Sequence, residues 1–328
     1  MLHLTLRQLQ VFLEATRQMN FARAAGVLHL TQPAVSMQIR QLESAVGVEL
    51  FERVGRRLAL TEAGRVLRHH AARVLGEIAD ADQALQSLKG LHGGLVSVGL
   101  VSTAKYFAPR LLARFAEHHP GIDVRFSVGN RDALVHLLED NEIDLAVMGR
   151  PPEKLDAVAE PVADNPHVLV AVRDHPLAGA RSIDMHELRR ETFLSRETGS
   201  GTQTVMEAMF RQHLFTPART ILMGSNETVK QAVMAGMGVS LLSLHTLALE
   251  RRAEEVAILD VVGTPVVRTW HVVHMRAKQL APAARAFRQF LLENTSDYLR
   301  EAFPLPAGVG AQRTRSGKAV APGRKPRA

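Results

Sequence analysis

The residues best suited to chemistry lie along one face of a predicted helix that begins at Thr31. Apolar side chains recur along this helix at spacings of four, three and four residues, and they form one stripe: Val35, Ile39, Leu42 and Val46. Gln32, Ser36 and Arg40 lie off that stripe and present an amide, a hydroxyl and a guanidinium. Such groups suit base edges and phosphates in the major groove of DNA, which admits one α-helix.

Two predicted helices joined by a short turn would position these groups. The first runs from Phe21 to Leu28 and carries alanines small enough to let the two helices cross closely, and residues 29–30 form the turn. Thr31 is a suitable N-cap for the second helix, and Pro33 fits its first turn without the loss of a hydrogen bond. An isolated amphipathic helix pair also occurs in proteins that do not bind DNA, so its interpretation depends on the next segment of the chain.

A predicted β-hairpin comes directly after the helix pair. Leu50 and Phe51 begin one strand, and Leu58 and Leu60 alternate along the other as a buried face would. Three arginines flank the glycine at position 55, near the tip of this hairpin: Arg53, Arg56 and Arg57. Because arginines at a hairpin tip suit contacts with phosphates, the hairpin favours a DNA-binding head over an ordinary helix pair.

The run from Leu6 to Gly64 closely resembles the winged helix-turn-helix of the LysR-type transcriptional regulators. In that family, positions along the first turns of the second helix meet DNA, and the arginines of the wing meet the flanking backbone. Met37 departs from the basic or polar residue that many relatives carry, and we keep it within the predicted contact set. The resemblance implies promoter DNA as a partner, with these contact residues: Thr31, Gln32, Pro33, Ser36, Met37, Arg40, Arg53, Arg56 and Arg57.

A long helix without proline is predicted from Thr61 to about Lys89. Its apolar residues alternate four and three apart: Leu67, Ala71, Val74, Ile78, Ala81, Leu85 and Leu88. A 3.5-residue repeat over three heptads indicates a coiled coil, although such a stripe would also suit packing against the chain's own domain. In the LysR-type family this helix is the linker of a homodimer, and two dimers assemble into a homotetramer. We therefore predict dimer contacts at five positions: Leu67, Val74, Ile78, Leu85 and Leu88.

Apolar runs alternate with amphipathic stretches from Leu95 onward. Three predicted strands and two helices between residues 95 and 148 form a βαβαβ unit with a parallel sheet, and a second such unit lies between 167 and 243. A last strand, Thr269 to Met275, and a helix, Pro282 to Tyr298, would return to the first unit. The pattern predicts two α/β lobes, joined by two crossings of the chain, around a cleft for a small molecule.

Three predicted helix starts in these lobes carry groups that would hold an anion: residues 102–106, 199–202 and 225–228. Each combines hydroxyls or amides with free backbone N–H groups at the positive end of a helix dipole. Lys105 and Arg196 would add positive charge, and the glycine at position 201 would let a ligand approach the backbone. Helix capping alone explains any single loop of this kind, whereas three together favour an anionic ligand.

The resemblance also covers these lobes, because LysR-type regulators carry a two-lobed, periplasmic-binding-protein-like effector domain that binds its effector between the lobes. Two segments, Val101–Pro109 and Met148–Pro152, resemble the CbbR group, whose members activate Calvin-cycle operons in response to phosphorylated metabolites or NADPH. The resemblance extends from residue 3 to about 300 and implies a small-molecule effector, with no cofactor, metal or catalytic residue. The predicted effector contacts are Ser102, Thr103, Lys105, Gly149, Arg150, Arg196, Gly201, Thr202 and Asn226.

Composition indicates a globular chain but adds little to the DNA-binding interpretation. The 328 residues are 46% hydrophobic and carry a net charge of +7. Six of the 40 basic residues and none of the 33 acidic ones lie between Pro304 and Ala328, so the rest of the chain is nearly neutral. That tail is either a disordered solubilising segment or an electrostatic arm that adds phosphate contacts. No cysteine, signal peptide or membrane-span pattern is present, so we expect a cytoplasmic protein without a membrane partner.

These predictions divide the chain into four parts. Residues 1–61 form an α-helical winged head, 62–90 the linker helix, 91–303 the two-lobed effector domain and 304–328 the tail. Within the effector domain, the first lobe spans about 95–162 and 269–300, and the second spans about 163–268.

Two other classes of protein remain open at this point. An enzyme would use some of the 15 histidines and many carboxylates, but the chain lacks the G-x-S-x-G, G-x-x-x-x-G-K-[ST] and H-E-x-x-H patterns. A solute-binding protein would share the two lobes, but it would need export and would not carry the head. A LysR-type regulator of another metabolic operon also fits. We predict a non-enzymatic transcriptional activator, for which RNA polymerase is a further candidate partner.

Overall fold

The computed structural model describes residues 3–55, 57–88, 93–149, 151 and 155–306. They lie in two compact units. Unit 1 comprises the chain up to Val101 together with Ala108–Glu160 and His271–Glu293, and unit 2 comprises Ser102–Phe107, Pro161–Trp270 and the chain from Asn294. The chain therefore passes between the units at five points rather than the two predicted, because residues 102–107 and the end of the last helix group with unit 2.

Unit 1 begins with a head of three helices and a hairpin. Its elements are α1 (Leu6–Gln18), α2 (Phe21–Val27), α3 (Gln32–Val46), β1 (Phe51–Val54) and β2 (Arg57–Leu60). The side-chain oxygens of Thr5, Asn20 and Thr31 cap the three helices by accepting hydrogen bonds from backbone N–H groups. Helices and hairpin share one apolar core, in which the rings of Phe12 and Phe51 meet edge to face with centroids 5.6 Å apart.

Helix α4 (Glu62–Leu88) continues from the hairpin. Thr61 caps it, since its hydroxyl oxygen accepts a hydrogen bond from the N–H of Gly64 at 3.0 Å. Ala71 and Ala72 are buried in the head core, so the first half of the helix belongs to the head. One turn further on, a Cβ added at Gly76 would lie only 2.0 Å from Nδ2 of Asn141, which shows how closely the helix approaches that residue of the first lobe.

The remainder of unit 1 contains the predicted βαβαβ arrangement. Its elements are β3 (Gly94–Val101), α5 (Ala108–His118), β4 (Ile122–Gly129), α6 (Arg131–Glu139) and β5 (Leu145–Met148). Strand β3 lies between β4 and β5 and pairs with both in parallel. Two later elements complete the unit: His271 to Val273 of β11 (Val266–Met275) pair antiparallel with β5, and Phe287 of α10 (Pro282–Ala302) packs against Phe115.

Unit 2 contains a second arrangement of the same kind. Its elements are β7 (Thr192–Arg196), α7 (Gly201–Gln212), β8 (Arg219–Met223), α8 (Asn226–Met234) and β9 (Ser240–Ser243). β7 and β8 are parallel, and Phe193 forms a parallel bridge with Val239 just before β9. The long strand β6 (Ala157–Val172) pairs antiparallel with β9 and with β10 (Val256–Leu259), which the short helix α9 (Ala248–Arg252) precedes.

Two strands differ from the sequence prediction. β6 begins at Ala157, ten residues before the predicted start, and β10 is an additional strand. Prolines at 161 and 166 disfavour a strand when the sequence is considered alone, because proline cannot donate to a β-ladder. The predicted fold class is nevertheless confirmed: a winged helix-turn-helix head, a long helix and two α/β lobes. Residues 307–328 of the predicted tail lie outside the described residues, and no helix among the described residues has the length and apolarity to cross a membrane.

Candidate functional site

The predicted DNA-reading face of α3 is exposed. The apolar stripe of this helix is buried in the head core: Val35, Ile39 and Leu42. The opposite side of the helix therefore faces outward, and it carries Arg40 and Met37. The amide of Gln32 donates a hydrogen bond to the hydroxyl of Ser36, with 2.9 Å between Nε2 and Oγ. A guanidinium, an amide and a hydroxyl thus share one accessible helix face, as base and phosphate contacts require.

The ends of α3 fix how this face is presented. Thr31 accepts a hydrogen bond from the N–H of Ala34 at 3.4 Å, and proline occupies the first turn at position 33. Near the other end, Oε1 of Glu43 accepts hydrogen bonds from the backbone N–H groups of Leu50 at 2.9 Å and Phe51 at 3.3 Å. The hairpin is therefore attached directly to the reading helix.

The hairpin has the predicted form of a wing. Val54 pairs with Arg57 across its tip, and Arg53 and Arg57 are exposed. Gly55 adopts a φ of 63°, a left-handed conformation that favours glycine. Arg56, the third predicted phosphate contact, lies outside the described residues.

The predicted dimer positions of α4 differ in their exposure along the helix. Leu67 packs partly against the head core, so the alternative of packing within its own domain holds at that end. Further along, Val74, Ile78 and Leu85 are 44%, 43% and 58% exposed. The side chain of Leu88 lies outside the described residues. Apolar residues exposed at heptad spacing make the second half of this helix suitable for a partner helix.

The predicted effector residues of unit 2 centre on Arg196, whose side chain is 5% exposed at the end of β7. Its guanidinium donates two hydrogen bonds of 2.7 Å to the carboxylate of Glu197 and a third to Oδ1 of Asn226. The hydrogen bonds from Arg196 hold the pKa of Glu197 below its usual value, against the opposing effect of partial burial. The guanidinium is therefore fixed in direction and paired with a charged carboxylate.

Asn226 begins α8 and is 2% exposed. Its Oδ1 accepts the hydrogen bond from Arg196, whereas its Nδ2 is buried and has no hydrogen-bond partner within the described part of the chain. A buried polar group without a partner costs about 1–3 kcal/mol. A ligand oxygen that accepted this N–H would remove that cost, so the side chain is suited to an acceptor such as an anion.

The first predicted loop is tied to the same end of α8. Glu227, the second residue of that helix, accepts a hydrogen bond from Nζ of Lys105 at 3.0 Å and another from the hydroxyl of Tyr106. Burial, together with the hydrogen bond to Glu227, raises the pKa of Tyr106, so its hydroxyl remains a donor. One turn along α8, Nζ of Lys230 lies 4.5 Å from the centre of the Tyr106 ring and 2.7 Å from Oε1 of Glu250.

The three predicted helix starts differ in what they offer. Ser225 caps α8 by accepting a hydrogen bond from the N–H of Thr228 at 3.1 Å, so for this serine the capping interpretation is right. Ser200 precedes α7 without a side-chain cap hydrogen bond, and Thr202 is buried in the first turn. The prediction of a helix start at 102–106 is wrong: residues 104–106 form a single 3₁₀ turn, and α5 begins at Ala108, where the following proline suits the first turn.

Most of the predicted effector residues lie in one unit. Those in unit 2 are Ser102, Thr103, Lys105, Arg196, Gly201, Thr202 and Asn226. Gly149 follows β5 in unit 1, and Arg150 lies outside the described residues. The sequence prediction missed four residues of this neighbourhood. Glu197 and Glu227 pair with Arg196 and Lys105, the Tyr106 hydroxyl donates to Glu227, and Nζ of Lys230 lies over the Tyr106 ring. Three of the four directly follow a predicted site residue in the chain, so their positions had a local signal, whereas the pairing of Glu227 with Lys105 did not.

Two known domain families match the chain. The family described as bacterial regulatory helix-turn-helix protein, lysR family, matches residues 6–65, and the LysR substrate binding domain matches residues 89–296. The chain belongs to the LysR family. The first match covers the head from α1 to the wing, and the second covers both lobes of the effector domain. The LysR-family chain is thus a DNA-binding transcriptional regulator, as its head predicted.

Named relatives of this LysR-family chain are regulators too. The HTH-type transcriptional regulator CfxR of Cupriavidus necator is 61% identical over 296 residues, which cover 90% of this chain and 93% of the relative. The HTH-type transcriptional regulator CbbR of Rhodospirillum rubrum is 48% identical over 286 residues, 87% of this chain and 95% of the relative. A RuBisCO operon transcriptional regulator of Allochromatium vinosum is 46% identical over 295 residues, 90% of this chain and 98% of the relative.

Solved structures of other regulators share this fold. The regulatory domain of Synechocystis CcmR, in complex with 2-PG, is 40% identical with a TM-score of 0.59 and covers 62% of this chain and 99% of that domain. Full-length CbnR, complexed with its target DNA, is 25% identical with a TM-score of 0.64 and covers 88% of this chain and 99% of CbnR. The first structure is similar to the lobes, and the second to nearly the whole chain.

Proposed function

We propose that this LysR-family regulator activates carbon-fixation genes of the Calvin cycle in response to a small anionic metabolite. Support for the target genes comes from the relatives, which include a CbbR at 48% identity and a RuBisCO operon regulator at 46% identity. Support for a metabolite comes from the family's substrate-binding domain, which matches residues 89–296. No permanently bound cofactor is part of the proposal.

One observation carries the choice of an anion. Arg196 and Asn226 are both at least 95% buried, they are hydrogen-bonded to each other, and the amide of Asn226 keeps one buried donor atom without a partner within the described residues. An oxygen-rich anion suits this donor, and it also suits the first turn of α7, where Ser200 makes no cap hydrogen bond. Phosphorylated metabolites and NADPH have this chemistry, and the structure of the CcmR domain contains 2-PG.

The proposal includes an oligomer on promoter DNA. Exposed Val74, Ile78 and Leu85 support pairing of two linker helices into a homodimer, and two dimers would assemble into a homotetramer. Paired heads would then contact paired half-sites. RNA polymerase is the remaining proposed partner, and binding to promoter DNA supports a cytoplasmic location.

Two substitutions test the division of labour between the head and the effector domain. Arg40→Ala is expected to weaken specific binding to RuBisCO-operon promoter DNA by about 1–3 kcal/mol, because it removes a groove contact. Thr202→Ala is expected to leave DNA affinity unchanged and to weaken the response to 2-PG, NADPH or phosphoenolpyruvate, because it removes a buried hydroxyl at the start of α7. Gel shifts measure the first effect, and the effector-dependent change in the gel shift measures the second.

Arg211→Ala is the control, since Arg211 is exposed on α7 outside both sets. It should change neither measurement. If Arg40→Ala binds promoter DNA like the wild-type protein, the role assigned to α3 is wrong. If Thr202→Ala abolishes DNA binding, the separation of the two functions is wrong.

A further inference from the structure

Three cations lie near the effector residues described in unit 2, and each is paired with a carboxylate. Three ion pairs connect Lys105 with Glu227, Arg196 with Glu197 and Lys230 with Glu250, at 3.0, 2.7 and 2.7 Å. The three pairs carry no net charge. An anionic effector therefore meets no surplus positive charge here, and it must displace one of the three carboxylates or bind beside it.

The three carboxylates differ in how easily they can leave. Glu250 is 11% exposed and is paired with a lysine that is 6% exposed, so separating them would strand a buried charge. Glu197 is 38% exposed but forms two parallel hydrogen bonds with a single guanidinium, a geometry that strengthens the pair. Glu227 is 48% exposed, and its ion-pair partner Lys105 is 39% exposed. Exposed pairs are the weakest in proteins, so Glu227 is the carboxylate that an incoming anion displaces most easily.

The position of Glu227 also favours a negatively charged group. It lies in the first turn of α8, where the helix dipole favours negative charge, and it directly follows Asn226 with its unpartnered donor. Its oxygens take both the ammonium of Lys105 and the hydroxyl of Tyr106. Partial burial opposes its charged form, but these hydrogen bonds outweigh that effect and hold the pKa of Glu227 below its usual value. The carboxylate is thus charged, and it occupies two donors that suit an anionic ligand.

We propose that Glu227 is an internal anion that competes with the effector for Lys105 and Tyr106, and that it thereby sets the affinity of the site for anions. The inference rests on the proposed effector function. Binding of an effector phosphate or carboxylate moves Glu227 into solvent and gives the ligand the two donors. An uncharged ligand of the same shape does not displace it and gains nothing from its removal.

Glu227→Gln in the full-length chain tests the proposal. The amide keeps the size of the side chain and an oxygen that accepts from Tyr106, but it removes the charge that holds Lys105. Isothermal titration with 2-PG, phosphoenolpyruvate, NADPH and inorganic phosphate should show about 2- to 5-fold tighter binding of at least the best of these probes, as expected for losing an exposed ionic competitor. Glu207→Gln removes the same charge from an exposed position on α7 and should leave every affinity unchanged.

A double-variant cycle identifies the partner of the competition. Combined with Lys105→Met, the Glu227→Gln change should tighten binding much less, because the contested ammonium is gone and only the Tyr106 hydroxyl remains. If Glu227→Gln weakens or does not change binding while the wild-type protein binds a probe, Glu227 positions the donors or is neutral, and the inference is overturned while the proposed function stands. If no probe binds either protein, both the proposed anionic effector and the inference are overturned.

Discussion

Burial changes the chemistry of two histidines in unit 2. Burial lowers the pKa of His167 to about 4 despite a carbonyl partner at Asn165, and burial, with a further contribution from His167, lowers the pKa of His245 to about 3. The ring of His245 instead accepts a hydrogen bond from the indole of Trp270, with 3.0 Å between Nε1 and Nδ1. Both rings are therefore neutral members of the core.

The consequence for stability has a definite sign. Below pH 6.5 an unfolded chain protonates these histidines, whereas burial holds the pKa of His167 at about 4 and that of His245 at about 3 in the folded chain. The neutral histidines contribute their full stabilisation above pH 6.5. As the pH drops below that value, the free energy of unfolding should fall by about 1.4 kcal/mol per pH unit for each histidine. Urea unfolding at pH 7.5, 6 and 5 measures this dependence.

Two glutamine variants separate His167 from other titrating groups. His167→Gln should reduce the pH dependence between 6.5 and 5, and His136→Gln, at a side chain that is 72% exposed, should leave it unchanged. An identical dependence in His167→Gln and the wild-type protein would contradict the assignment.

Single residues also mark the limit of prediction from the sequence. Arg196 and Asn226 were predicted from their neighbours and from the family resemblance, but the carboxylates that pair with the site's cations were not. Lys105 and Glu227 are 122 residues apart, so nothing local in the sequence indicates that they meet. Asn226 was expected to offer a donor, whereas the burial that leaves Nδ2 without a partner depends on the packing of the whole unit.

At the scale of elements, the periodic parts of the chain were predictable. The apolar stripe of α3 and the strand–helix alternation of both lobes follow from repeats of 3.6 and 2 residues, which the structure reproduces. The first ten residues of β6 were not predictable, because they contain two prolines and take their form from their setting in the sheet. The dimer seam of α4 was predicted as one stripe, but its first position packs on the head.

Substitution by alanine should change the stability of the chain in opposite directions at two helical glycines of the head. At Gly64 of α4 a Cβ would lie 2.1 Å from the backbone oxygen of Leu50, which is itself held by a hydrogen bond from Thr61 and cannot move easily. At Gly26 of α2 a Cβ meets nothing within 4 Å. Gly26→Ala should therefore stabilise the chain by up to about 1 kcal/mol through helix propensity, whereas Gly64→Ala should destabilise it by about 1–3 kcal/mol.

Thermal unfolding of both variants, with promoter binding measured in parallel, checks this prediction. Gly64 packs against the backbone of Leu50, just before the first strand of the wing. Its replacement should therefore shift the wing and also weaken DNA binding. Equal melting temperatures for the two variants would show that the hairpin adjusts to the added methyl group.

At the scale of the whole molecule, one buried lysine joins the linker helix to the first lobe within unit 1. Lys278 has a side chain that is 6% exposed, and its Nζ lies 2.6 Å from both Asp144 and Asn141 and 3.5 Å from Asp80 of α4. Burial raises the pKa of Asp80, and Lys278 counters that effect. The lysine is thus the cation that allows two partly buried carboxylates to lie together.

Removal of this cation should loosen the attachment of α4. Lys278→Met is expected to reduce the free energy of unfolding by about 3–5 kcal/mol, because it leaves two carboxylates without their counter-charge. The matched change Arg110→Met, at an exposed cation of α5 in the same unit, should cost less than about 0.5 kcal/mol. Urea unfolding measures both, and amide hydrogen exchange should show the loss of protection concentrated in α4.

A double variant distinguishes the loss of counter-charge from a general failure of Lys278→Met to fold. Asp80→Asn together with Lys278→Met should recover part of the stability, because one unpaired charge is removed with its partner. Similar unfolding of Lys278→Met and Arg110→Met would mean that the lysine is dispensable.

The carboxylate at position 227 also affects the metabolite concentration at which the regulator responds. A competitor that is part of the chain cannot be diluted, and a short tether gives it an effective concentration in the millimolar range. The metabolite concentration that half-fills the sites is then inversely proportional to the fraction of molecules in which Glu227 has released Lys105. Substitutions at 227 would rescale this threshold while Arg196 and Asn226 still select the ligand, so sensitivity and selectivity can change independently.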